Sequence, residues 1–260
     1  MAENSRRPPR VVILVPTYNE AGNLPVLAGA LLALPLPGLR LLIVDDASPD
    51  GTGQRADELA AASEGRLSIL HRTGPKGLGL AYRDGFRWAL DQGAEAIVQM
   101  DADLSHAPAD VLRLVAELET CDVAVGSRYV AGGQTDEHWG RGRLALSRSA
   151  NHLSRLVLGL KTRDATAGFK AWRRSALEAV GPGRIRSKGY LIQEETAFLS
   201  QRLGLRVHEV PILFADRRAG RSKMTMRIKL EAAAALLRLR LRHRRIRARS
   251  TRDVREAERT

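Results

Sequence analysis

Two hydrophobic rhythms alternate along the chain. A continuous apolar run of strand length occurs at residues 11–18 (VVILVPTY), and further mainly apolar strand segments at 39–46 (LRLLIVDD), 66–72 (RLSILHR), 94–98 (AEAIV) and 121–129 (CDVAVGSRY). Between them, apolar residues recur every three or four positions, the spacing of a helix. That spacing covers residues 19–34, with Leu24, Leu27, Leu31 and Leu34 on one side, and an alanine-rich stretch from Thr52. It returns at 77–93, with Leu80, Phe86 and Leu90 inward, and at 107–119, where Pro108 suits the first turn and Ser105 or His106 the cap. Strands that are apolar throughout are covered on both faces, so the pattern predicts an α/β fold with a mostly parallel central sheet and helices on both sides.

Beyond residue 130 the rhythm loosens. A polar loop at 131–142 precedes a helix at 143–160 with arginines on one side. Segments 164–180 and 189–204 follow, then a strand at 206–214 and a basic helical tail over 226–249. No internal repeat is present, and no linker is long enough to separate two autonomous domains.

The residues that packing does not explain fall at the ends of the predicted strands: PTYNE, DDASPDGTG, DADLSH and GSRY. Open α/β sheets bind ligands at the carboxyl ends of their strands, so four such signals converge on one edge. Asp101-Ala102-Asp103 leaves a buried strand, and a strand period of two aims both carboxylates to one side. Two carboxylates that close repel each other and resist burial without a partner. An isolated Asp-x-Asp ordinarily reads as one cap and one solvated acid. At the end of a buried strand, beside Asp45-Asp46 at another, it reads instead as a pair of hard oxygen ligands for Mg²⁺ or Mn²⁺, able to bridge a diphosphate. For Asp45-Asp46 two readings stand: a tight turn with a helix cap, or one acid recognising a ribose or base while the other supports the loop. Gly77 and Gly79 lack the third glycine of a dinucleotide fingerprint and follow the wrong strand, and no P-loop motif is present. Glu194-Glu195 reads as a solvated helix face or as a base.

Charge narrows the partners. The chain carries 42 Lys and Arg against 29 Asp and Glu, a net +13, which points to an anionic partner. Nucleic acid is disfavoured, because aromatics are only 4% and no recognition module is present. Arg128, Arg143, Arg217 and Lys223 offer donors for several phosphate oxygens instead. The single cysteine, Cys121, excludes a disulfide framework or a cysteine-based zinc site and reads as a small buried apolar residue. The histidines show no metal spacing. Residues 1–10 read as a disordered basic leader without a signal-peptide core, and no apolar run approaches the roughly 20 residues that span a bilayer. The expectation is a cytoplasmic chain able to lie on a membrane.

The segments VPTYNEAGNLP, VDDASPDGTG, DADLSHAP, GSRYVAGG and ADRRAGRSKM resemble glycosyltransferase family 2, and more narrowly its polyprenol (dolichol) monophosphate mannose synthases. The match runs from about residue 11 to 226, and HRTGPKGLGLAY is similar to actinobacterial members. The resemblance implies a Rossmann-like GT-A fold, a single catalytic domain over 11–225 (a nucleotide-sugar half to 130, an acceptor half after it) and a basic amphipathic helix and tail over 226–260. It implies inverting transfer of mannose from GDP-mannose to polyprenyl phosphate. Pro16, Tyr18, Glu20, Val44 and Asp46 would hold the nucleotide. Asp101, Ala102 and Asp103 would meet the diphosphate and metal, and Arg217 and Lys223 would close over the donor. Arg128, Arg143 and Ser147 would cradle the acceptor phosphate. Ser105 stands where some relatives have a metal-neighbouring Gln. The same family leaves two alternatives: glucose transfer from UDP-glucose, or transfer to a sugar hydroxyl with Glu194 or Glu195 as base. The tail, with Leu230, Ala234, Leu237 and Leu241 on one face and Arg238, Arg240, Arg242, Arg244, Arg245 and Arg247 crowding the rest, reads either as a helix packed on the domain or as an amphipathic helix on an anionic membrane face. A membrane-anchoring partner protein fits the same reading.

Overall fold

The computed structural model describes residues 10–136, 139–216 and 226–246. Arg217, Lys223, Arg247, residues 1–9 and the tail after 246 lie outside the described residues.

The first five apolar runs form strands as expected: β1 (Val11–Thr17), β2 (Arg40–Asp45), β3 (Leu67–His71), β4 (Ala96–Gln99) and β5 (Val123–Ser127). Helices α1 (Leu24–Leu32), α2 (Thr52–Ala61), α3 (Leu78–Asp91) and α4 (Asp110–Glu117) connect them. Then come β6 (Gln134–Thr135), α5 (Arg141–Leu158), β7 (Lys170–Arg173), α6 (Arg174–Val180), α7 (Ile192–Arg202), β8 (Val207–Pro211), β9 (Leu213–Phe214) and α8 (Met226–His243).

Seven strands make one sheet in the order β3-β2-β1-β4-β7-β5-β8, with β6 and β9 pairing separately. Every residue of β1 is buried. One apolar layer (Ile13, Leu27, Leu31, Val98, Leu114) lies under α1, α2 and α4. The other (Leu14, Val44, Phe86, Trp172, Leu199) lies under α3, α6 and α7. Chain connections diverge from β1 towards β2 on one side and β4 on the other, which opens a crevice at their carboxyl ends.

Two expectations need correction, and one unassigned segment turns out to hold a strand. Segment 164–180 hides a strand: β7 runs antiparallel between β4 and β5, pairing Val98 with Ala171 and Ala124 with Ala171. The predicted strand 206–214 breaks at Ile212, so that β8 stays in the main sheet while β9 pairs with β6 from the polar loop. Helix α4 begins only at Asp110 with Ala109 before it, so neither Ser105 nor His106 is its cap. Ser105 instead donates to Asp103, and His106 bridges to Phe214.

Helix α8 packs through Leu236 and Leu239 against Leu158, Leu160, Ala197 and Phe198 of α5, α7 and the turn between α5 and β7. The buried face is thus offset from the one expected. Leu237 and Leu241 are exposed, with Arg238, Arg240, Arg242, Arg244 and Arg245 also in solvent. No described helix is long and apolar enough to cross a membrane.

Candidate active site

The crevice is a cavity of about 490 Å³, within the range of small-molecule sites. It is lined by Pro16, Tyr18, Glu20, Asp46, Asp101, Ala102 and Asp103, seven of the donor-side residues expected from sequence. Val44, expected in the same pocket, is not among its walls. The Val44 side chain is fully buried further down β2, in the core against Gly85 of α3. Thr17, Lys76, Gly77, Leu78, Gly189 and Tyr190 complete the lining and were not expected.

The two acids after β2 divide the work. Asp45 supports the loop, accepting bonds from the Thr17 hydroxyl (3.2 Å), the Ser48 amide (3.1 Å) and the Ser48 hydroxyl (2.6 Å). Asp46 faces the cavity, held by the Arg72 guanidinium and by the Gly77 amide at 2.6 Å. Arg72 is in turn fixed by Asp84 at 2.9 Å. The glycines read as an incomplete fingerprint have a steric cause. Gly77 has φ 151, and a Cβ there would overlap the Lys188 carbonyl, as one at Gly79 would overlap that of Ser187. Loop 187–190 therefore lies directly on the start of α3, and this carries Tyr190 into the site.

Asp101 and Asp103 lie beyond the end of β4, in a bend where Leu104 has φ 62. The turn, not strand alternation, brings both to the cavity. Asp103 accepts from the Ser105 amide (3.1 Å) and hydroxyl (2.5 Å) through one oxygen. Asp101 accepts from the Tyr82 hydroxyl at 3.3 Å; burial and the Asp101 charge push the Tyr82 phenol well up, so it stays a donor. The Asp101 amide points at Nδ1 of His106, 3.4 Å away. Burial lowers the His106 pKa, and a neutral ring accepting at Nδ1 carries its proton on Nε2. Two carboxylates on one wall suit Mg²⁺ or Mn²⁺, which take one or two carboxylates and complete their shell with substrate phosphate and water. The one cluster of three potential ligands among the described residues, Glu117, Cys121 and His208, lies at α4 and β8, away from this cavity.

A second cavity of about 90 Å³ shares Leu78, Asp101 and Tyr190 with the first and is floored by His106, Gly168 and Gln193. Arg128 opens onto it. Its Nε and Nη2 bond Asp164 at 2.8 and 2.7 Å, and Nη2 also donates to Thr166. Asp164 is fully buried and Arg128 nearly so. Arg143 is not in this cavity. It stacks on Trp139 at 4.0 Å from the ring centroid and pairs with Asp216. Trp139 packs on Phe214, over which Arg128 also lies, so one aromatic row joins the two arginines. The Ser147 hydroxyl bonds Tyr129 at 2.7 Å.

Glu194 and Glu195 are not a solvated face, and neither is among the residues lining these two cavities. Glu195 is fully buried, accepting from the Arg186 and Ser187 amides and meeting His243 of α8 at 2.7 Å. Glu194 accepts from Ser154 at 3.3 Å, and burial raises its pKa to about 7 from 4.5. Burial lowers that of Lys170 to about 7. A carboxyl whose folded pKa exceeds its unfolded one contributes stability that is lost as pH rises through the folded value. Glu194→Gln is therefore expected to raise the melting temperature at pH 8, where the native carboxylate is charged, by about 2–4 °C per kcal/mol relieved. At pH 5, where the native carboxyl is protonated, the variant should melt with wild type. Equal shifts at both pH values, read by calorimetry, would contradict the assignment.

Residues 12–181 match the family model for glycosyl transferase family 2. The chain is 46% identical over 217 residues to a polyprenol monophosphomannose synthase of Mycolicibacterium smegmatis, covering 83% of this chain and 81% of that protein. It is 44% identical over 216 residues to an undecaprenyl-phosphate mannosyltransferase of Micrococcus luteus, covering 83% and 88%. In fold it is similar to a mannosyltransferase from Pyrobaculum calidifontis solved with GDP-mannose and Mn²⁺ (TM-score 0.58, 20% identity, 90% of this chain and 70% of that one). It is also similar to glucosyl-3-phosphoglycerate synthase of Mycobacterium tuberculosis solved with UDP (TM-score 0.61, 20% identity, 89% and 80%). The motifs, the strand-end cavity with its paired aspartates, and these likenesses agree: the chain is an enzyme of the GT-A fold and belongs to glycosyltransferase family 2.

Proposed function

We propose that this protein transfers mannose from GDP-mannose to polyprenyl phosphate, inverting the configuration at the anomeric carbon. The observation that carries the reading is the junction of the two cavities at Asp101. One has the size and carboxylate wall for a sugar nucleotide. The other presents Arg128 and contains no acid other than Asp101 itself. An acceptor hydroxyl requires a base to remove its proton. A phosphate monoester, with its second pKa near about 6, is mostly dianionic at neutral pH and requires none. The names of the Mycolicibacterium and Micrococcus relatives support mannose and a polyprenyl phosphate acceptor.

In this reading Tyr18, Glu20 and Asp46 receive the nucleoside, and Asp101 and Asp103 hold a divalent cation on the diphosphate. That cation, when bound, supplies Lewis-acid stabilisation of the departing diphosphate. Arg128 and Arg143, with Arg217 and Lys223 assigned by motif alone, offset the repulsion between two anionic reactants and orient the acceptor oxygen. A phosphate oxygen bonds to the anomeric carbon as the bond from that carbon to the GDP oxygen breaks, and the electron pair leaves with GDP. Offering GDP-mannose, GDP-glucose and UDP-glucose in turn to the purified protein with polyprenyl phosphate tests the donor. Mannolipid from GDP-mannose alone is expected; preferential glucose transfer from UDP-glucose would overturn it.

Helix α8 fits work at the cytoplasmic face of a membrane. Its exposed Leu237 and Leu241 are one turn apart among arginines, each worth about 1 kcal/mol near an anionic surface. Replacing both leucines by glutamate is expected to weaken binding to anionic vesicles about tenfold or more, while sparing transfer to a short, water-soluble prenyl phosphate. Because Leu239 and His243 are buried, this pair of changes avoids the packing that truncating the helix would remove. Unchanged co-sedimentation of the variant would show that another surface is the anchor.

A further inference from the structure

We propose that Gln193 is a sugar-recognising residue: its side-chain amide donates a hydrogen bond to one hydroxyl of the transferred hexose. The inference rests on the glycosyl-transfer reading above.

The orientation of the Gln193 amide follows from a relay that begins in the core. The indole Nε1 of Trp172 is a donor only, so the Gln99 atom 2.9 Å away is its oxygen. The Gln99 nitrogen then donates to the Gly168 carbonyl at 3.1 Å and to Gln193 Oε1 at 2.9 Å. An independent constraint agrees. Lys170 Nζ donates to the same Gln193 oxygen at 3.2 Å, and it further bonds the Gln193 carbonyl (2.9 Å) and the Thr196 hydroxyl (3.0 Å). Gln193 Oε1 thus receives two donors, and the amide cannot be flipped. Its Nε2 has no partner among the described residues, although Gln193 is a buried residue, and it lines the small cavity with Asp101 and His106. A fixed donor facing a cavity is what a hydroxyl-reading site requires.

The cavity and its chemistry favour the sugar over other ligands. At about 90 Å³ it has room for the edge of a hexose rather than a whole nucleotide, and it adjoins the donor cavity at Asp101, where the diphosphate is assigned. The donor is neutral, which matches an uncharged hydroxyl, whereas the cationic Arg128 serves the phosphate. The relay explains two further oddities. Lys170 is buried in a strand because it holds Gln193, and Gln99 ends β4 with a polar side chain in an otherwise apolar layer because it transmits the orientation set by Trp172.

The test is a cycle between protein and substrate. Initial rates are measured with GDP-mannose and its 2-, 3-, 4- and 6-deoxy analogues, for wild type and for Gln193→Met, which preserves side-chain length without a donor. Wild type is expected to lose about tenfold to a hundredfold in kcat/KM on removal of one hydroxyl, and Gln193→Met to use the parent and that analogue equally. Should the methionine variant not fold, Gln193→Glu keeps the oxygen to which Gln99 and Lys170 donate. Its carboxylate can only accept, so the deoxyfluoro analogue at that position should fall at least about tenfold further than in wild type. Equal fractional losses for every analogue in wild type and variant would overturn the proposal. So would a raised acceptor KM with deoxy-analogue discrimination intact, which would put Gln193 on the phosphate. Failure of the donor reading is visible separately, as wild type inert with GDP-mannose. The same cycle then uses deoxy forms of the sugar nucleotide that is turned over.

Discussion

Asparagine in place of Asp103 is expected to lower glycosyl transfer by about a thousandfold and leave the melting temperature close to wild type. The structure makes these effects separable. One Asp103 oxygen is engaged by the Ser105 amide and hydroxyl, and that bend sets the wall of the donor cavity. An asparagine carbonyl accepts both bonds equally well, so the bend survives. What changes is the charge: a neutral amide is a poor ligand for a hard divalent cation. Stabilisation of a leaving diphosphate is worth several kcal/mol, and about 4 kcal/mol corresponds to roughly a thousandfold in rate. Transfer measured at saturating Mg²⁺ and Mn²⁺, with calorimetry on the same sample, separates the two. Turnover within tenfold of wild type would remove the metal role from Asp103.

The second large effect concerns Arg128. Arg128→Ala is expected to abolish use of the phosphate acceptor and also to destabilise the fold. Asp164 has no exposure, and Arg128 supplies three of its bonds: two from the guanidinium and one from the Arg128 backbone amide at 3.0 Å. Removing the guanidinium strands a buried carboxylate, which costs about 3–5 kcal/mol. In a chain of this size that is a fall on the order of 10 °C in melting temperature. The double variant Arg128→Met, Asp164→Asn removes both charges and should recover most of the lost stability without recovering transfer. A double variant as active as wild type would show that the ion pair is structural only. One as unstable as Arg128→Ala would show that the stranded charge is not the cause.

Much of this site was legible because its residues interrupt strong patterns. Asp46, Asp101 and Arg128 each stand where an apolar strand has just ended, and in a parallel sheet those ends share one edge. The features that escaped have no such contrast. Strand β7 is four residues long, begins and ends with a basic residue, and runs straight into α6, so neither alternation nor an apolar run marks it. Its Lys170 is buried only because α7, nearly 25 residues later, supplies three acceptors. Gln193 beside two glutamates looks like a polar helix face. Only the folded structure shows that Gln193 and Glu195 point inward while the exposed surface of this region belongs to Tyr190. Val44 shows the converse: it stands only two residues before Asp46, yet inside β2 its side chain is covered by α3, while Asp46 lies past the strand end. Helix α8 was legible as amphipathic, but which face is buried depends on the shape that α5 and α7 present to it.

The central claim is that this cavity pair transfers a sugar to an anion that needs no base. The direct measurement compares polyprenyl phosphate with the corresponding polyprenol as acceptors for radiolabelled GDP-mannose, with the anomeric configuration of any product read by NMR. The account predicts a β-linked mannosyl phosphate from the first and no product above background from the second. Transfer to the free alcohol at a comparable rate, or a product with retained configuration, would contradict it.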